Sequence, residues 1–73
     1  MKLYEGDIVR FSGHDGVGKI EVFRSNRYAG EIKRPGDIRC SDGSVKKFIK
    51  SEAKKHGRRA KRVGILDYSF RIV

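Results

Sequence analysis

Seventy-three residues with 37% charged and 37% hydrophobic content make a single small domain, residues 1–73, with net charge +9. A lone cysteine, Cys40, excludes an internal disulfide and any cysteine-rich zinc site within one chain. No apolar run is long enough to span a bilayer, no signal peptide opens the sequence, and the composition fits a reducing cytoplasm.

Taken in chain order, Glu5-Gly6-Asp7 reads as a turn leading into a short β-prone run, Ile8-Val9-Arg10-Phe11, with Val9 and Phe11 on one face. Ser12 to Gly18 reads as a glycine-rich loop. Residues 19–24 alternate, with Ile20 and Val22 on one side and Lys19, Glu21 and Phe23 on the other, so the two runs are expected to form a hairpin. Ser25-Asn26-Arg27 is a polar turn. Residues 28–33 form a third expected strand, with Tyr28 and Ile32 facing one way. Arg34 to Asp37 is a turn in which Pro35-Gly36 favours type II geometry. Ile38 to Cys40 reads as a short fourth expected strand, and Cys40 is a small apolar residue suited to burial.

The most informative stretch is Ser44–Arg62. It holds nine of the eighteen basic residues and one acid, Glu52, for a net +8. Val45, Phe48, Ile49, Glu52, Ala53 and His56 recur at helical spacing, with Lys46, Lys47, Lys50, Lys54, Lys55 and Arg58 on the other side. This predicts a basic amphipathic helix over 45–56, with Ser44 as N-cap and Gly57 as the left-handed terminator. Asp42-Gly43 is also a hairpin signal, but the sustained helical period favours the helix. Lysines at the positive end of the helix dipole, crowded by further lysines, make it dependent on docking its apolar face. Arg58 to Arg62 reads as a basic connector. Residues 63–73 are β-prone, with a change of phase near Leu66-Asp67 that implies a bulge or tight turn. Gly6-Asp7-Ile8 and Gly36-Asp37-Ile38 match each other, a likeness of two turns too short to make a repeat.

Catalytic motifs fare poorly. Gly13 to Lys19 has the spacing of a phosphate-binding P-loop, but Ile20 stands where Ser or Thr must hold magnesium, and a strand follows where a helix is needed. A hairpin loop explains it better. His14 and His56, the two histidines, have no nucleophile or further metal ligands placed beside them. The expectation is a protein without catalytic residues, metal or cofactor.

Glu5–Val22 resembles the KOW motif of small SH3-like barrels, through Gly6-Asp7, Val9 and Phe11, the glycine-rich loop and Gly18-Lys19-Ile20. The resemblance covers about a quarter of the chain. It implies a small barrel of the kind common in ribosomal proteins and transcription elongation factors, where loops and strand faces contact RNA or protein.

The expected fold is mainly β with one α-helix, an α+β domain of four to six short strands. An SH3-like barrel is the first choice and an OB-like barrel the second, with the helix after the fourth strand packing Val45, Phe48 and Ile49 over the barrel. The expected function is non-catalytic binding of nucleic acid, with RNA favoured over DNA by the barrel resemblance. Lys46, Lys47, Lys50, Lys54, Lys55, Arg58, Arg59, Lys61 and Arg62 would contact phosphates. Phe23 and Tyr28, flanked by Arg24 and Arg27, would stack an unpaired base. The alternative is a protein-interaction module or inhibitor that docks its basic face on an acidic protein surface. The apolar face of the helix is too thin for membrane attachment. Oligomeric state is not encoded in any pattern in the sequence.

Overall fold

A computed structural model describes residues 2–14, 17–33, 42–64 and 68–73. Among these residues, five strands and one helix follow in the order β1 (Ile8–His14), β2 (Val17–Arg24), β3 (Arg27–Ile32), α1 (Asp42–Lys55), β4 (Ala60–Arg62) and β5 (Tyr68–Ile72). The strands form one antiparallel sheet in the order β3-β2-β1-β5-β4. The domain is therefore mainly β with one helix, as the sequence predicts.

The alternation read in the first two strands sets the sheet's faces. Val9 lies opposite Val22 and Phe11 opposite Ile20, and all four are buried. Phe70 and Ile72 of β5 continue this layer, with Leu3 from the lead-in. Helix α1 closes it with Val45, Ile49 and Ala53 at successive four-residue steps, each essentially inaccessible to solvent. Phe48 and Ala60 pack at the margin of this core. The expected inward face of the helix is therefore present, with Val45, Ile49 and Ala53 at its centre and Phe48 half-buried beside them.

The helix starts at Asp42, so Ser44 lies within its first turn and is not its N-cap, a correction to the expected start. Its end is as expected. Gly57 takes φ +69°, the Arg58 N–H donates to the Ala53 carbonyl at 2.9 Å, and the Gly57 N–H donates to the Lys54 carbonyl at 3.0 Å.

Several expectations are corrected. The glycine-rich loop is shorter than expected, because the β1–β2 ladder runs out to Gly13 opposite Gly18 and His14 opposite Val17. Tyr28 and Ile32 lie on opposite faces. Tyr28 is paired with Phe23 and Ile32 with Ile20, because the register shifts between Val22 and Phe23 and gives β3 one extra residue at Ala29. Arg58 to Arg62 is not all connector, since Ala60–Arg62 is an edge strand held on β5. The expected turn at 34–37, the fourth strand at 38–40 with Cys40, and the phase change at Leu66-Asp67 lie outside the described residues.

The turn between β2 and β3 has both central residues at positive φ, Ser25 at 53° and Asn26 at 63°. This is the primed geometry that matches strand twist in a two-residue hairpin. The end of the chain is also pinned. Arg59 and Val73 exchange backbone hydrogen bonds of 3.0 and 2.8 Å, and the Gly6 N–H donates to the Ile72 carbonyl at 2.7 Å.

Candidate nucleic-acid interface

On α1, the core side is fixed by Val45, Ile49 and Ala53. Lys46, Lys50 and Lys54, each one position further on, therefore run along one flank of the helix. That flank faces β4. Two adjoining clefts result. One, of about 370 Å³, is lined by Lys50, Lys54, Arg58, Arg59 and Ala60. The other, of about 530 Å³, is lined by Lys46, Lys50, Arg59, Ala60, Lys61, Arg62 and Val73. Lys50, Arg59 and Ala60 belong to both, so the two clefts form a continuous trough. Small Ala60 forms part of its lining, and cations from the helix, its exit and the edge strand surround it. Seven of the nine basic residues predicted from the sequence meet here.

Lys47 and Lys55 are exposed on the helix and do not line the trough. Lys55 donates to Glu52 Oε1 at 3.0 Å, so the stretch's one acid is engaged by the lysine one turn on. The trough's cations repel one another, and that repulsion is relieved when an anion enters.

Phe23 and Tyr28 lie on the opposite face of the sheet. Their rings meet edge to face, with centroids 6.0 Å apart and planes at 71°. Phe23 is half-buried and Tyr28 is 58% exposed. Arg27 is exposed at the start of β3. Arg24 is committed elsewhere. Its Nε donates to Asp7 Oδ1 and its Nη2 to Asp7 Oδ2, both at 2.8 Å, and its guanidinium lies 4.6 Å from the centre of the Tyr4 ring. Asp7 is buried and also accepts the Tyr4 N–H at 2.9 Å. The Arg24 hydrogen bonds hold the Asp7 carboxyl below the usual carboxylate range, against the opposing pull of burial and with help from the Tyr4 N–H. The same pairing raises the affinity of Arg24 for its proton. Arg24 thus ties the entrance of β1 to the end of β2.

Sequence reasoning missed the residues around the aromatic pair. Ile8, Arg10, Phe23, Asn26 and Ser69 line a hollow of about 250 Å³ on the open face. Arg10 and Ile8 are neighbours of Ser69 and Arg71 across the ladder. Only the alternation in β1 hinted that Ile8 and Arg10 leave the core. Their meeting with β5 depends on a pairing between opposite ends of the chain.

Among the described residues, no three His, Cys, Asp or Glu side chains come together as a metal site, and no helix is long and apolar enough to cross a membrane. Comparison with protein-family models, curated proteins and solved structures found no match to this chain.

Proposed function

We propose that this chain is a non-catalytic nucleic-acid-binding protein of the cytoplasm that grips backbone phosphates in the trough between α1 and β4. The observation that carries the reading is the convergence of Lys46, Lys50 and Lys54 on one wall with Arg59, Lys61 and Arg62 across from them. Cations gathered on two walls of a concave surface concentrate positive potential and attract a polyanion by counterion release. The architecture we favour is an SH3-like barrel. A β1-β2-β3 meander with the last strand returned against β1 supports it, and so does the Gly6-Asp7 lead-in. RNA is the favoured ligand on that resemblance.

Phosphate contacts fix position and carry little sequence information, so binding through the trough is weakly selective. The test is a salt titration of binding to matched RNA, single-stranded DNA and duplex DNA. It compares the wild type with a variant carrying Lys46→Ala, Lys50→Ala, Lys54→Ala and Arg59→Ala. All four side chains are peripheral to the core. The wild type is expected to bind with a steep salt dependence, and the variant to lose up to about four units of slope on a duplex, near 0.9 per phosphate contact. No binding by the wild type at low salt would refute the reading and leave an acidic protein surface as the partner to seek.

A further inference from the structure

The trough does not account for the other face of the sheet. There the register builds one continuous row across all five strands. Lys61 of β4 is paired with Arg71 of β5, Arg71 with Ile8 of β1, Ile8 with Phe23 of β2, and Phe23 with Tyr28 of β3. Directly opposite residues share a face, so these side chains stand side by side over about 19 Å, four interstrand spacings. One end of the row is cationic and the other aromatic. Lys61 also lines the trough, so the two surfaces meet at the β4 edge.

Beside the aromatic end lies the hollow of about 250 Å³. It is smaller than the roughly 300–1,000 Å³ clefts that enclose whole small molecules, so it suits a single planar ring system. Ile8 and Phe23 supply apolar surface, Asn26 an amide that both donates and accepts, and Arg10 a cation. Tyr28, more than half exposed, stands against Phe23 and offers ring surface to a second planar group.

We propose that this hollow and the exposed Tyr28 ring bind unpaired bases, and that the ligand is single-stranded nucleic acid passing from the trough around the β4 edge onto the open face. The inference rests on the phosphate-binding reading of the trough and narrows its substrate class. Bases in a duplex are already stacked and paired, so an aromatic platform beside a cationic track selects single strands. Charge complementarity along Lys61 and Arg71, continuous with the trough, argues for a polyanion over a second copy of this basic chain.

The experiment compares an oligothymidylate strand, an abasic deoxyribose strand of equal length and an A·T duplex, using wild type, Tyr28→Ala, Phe23→Leu and Tyr28→Trp. Tyr28 and Phe23 lie outside the core, so these variants are expected to fold. Oligothymidylate should bind more tightly than the abasic strand and the duplex. Tyr28→Ala and Phe23→Leu should each weaken oligothymidylate binding about 5- to 150-fold, the range for losing one stacked base, and leave abasic binding unchanged. Tyr28→Trp should keep its affinity, with its fluorescence quenched by oligothymidylate and not by the abasic strand. Equal affinity for abasic and base-bearing strands would overturn the base site while leaving the phosphate reading intact. So would a Tyr28→Ala variant that dissociates a dimer without changing affinity for oligothymidylate. Failure of the wild type to bind any of these strands and an oligouridylate of equal length would overturn both.

Discussion

Asp7 is the residue on which the β1 entrance depends. Its carboxylate meets Arg24 Nε and Nη2 and the Tyr4 N–H, so three donors converge on one buried group. The folded-state pKa is lowered, so the stabilisation is present above the unfolded value near 4 and is lost as pH falls through the lower folded value. Asp7→Asn removes the charge and one acceptor oxygen while keeping an acceptor for Tyr4. It is expected to cost about 1–3 kcal/mol at neutral pH. The low end is favoured, because the Arg24 side chain is 42% exposed and water screens it. Urea unfolding at neutral pH and near pH 3 checks this. The gap between wild type and variant should narrow in acid, and a gap independent of pH would remove the ion pair as its cause.

At the scale of elements, α1 presents two adjacent strips, one packed on the core and one lining the trough. Ile49 is 1% exposed against the sheet, while neighbouring Lys50 points into the trough. Ile49→Ala should cost about 2–5 kcal/mol by leaving a cavity. Lys50→Ala should change stability by no more than about 0.5 kcal/mol while weakening nucleic-acid binding. Thermal unfolding and binding measured side by side on the two variants separate the strips; equal loss of stability in both would show that they are not separate. The helix, its glycine terminator and the first hairpin were legible because their signals are local: a sustained period, a left-handed cap residue, and alternation on both sides of a short link. Strand β4 was hidden because Ala60-Lys61-Arg62 has almost no β character of its own and becomes a strand by pairing with β5. The face assigned to Tyr28 failed for a related reason, since one extra residue at Ala29 inverts the alternation without a mark in composition. The trough's residues could be named from the charge run, but their division between two walls required the helix phase and the edge strand together. The hollow on the open face was invisible because Ile8 and Ser69 come from opposite ends of the chain.

For the whole molecule, the proposed binding and the stability are expected to respond to salt in opposite directions. A net charge of +9, much of it gathered around one trough, works against the compact state in the absence of an anion. Raising salt screens that repulsion and should raise the melting temperature of the free protein, by about 4–8 °C for each kcal/mol relieved. The same salt series should weaken oligonucleotide binding. Melting followed by circular dichroism over the series tests the first half. A melting temperature that stays flat or falls as salt rises would show that the basic surface is not under electrostatic load.

Strand β5 sits between β1 and β4 in the sheet although it is the last of the described strands in chain order. Without residues 68–72, β1 and β4 would each lose a described neighbour, and the core under the helix would lose both Phe70 and Ile72. The helix and its exit therefore join the meander through β5, and the seating of β5 between its neighbours is what gathers the basic residues into a shaped trough.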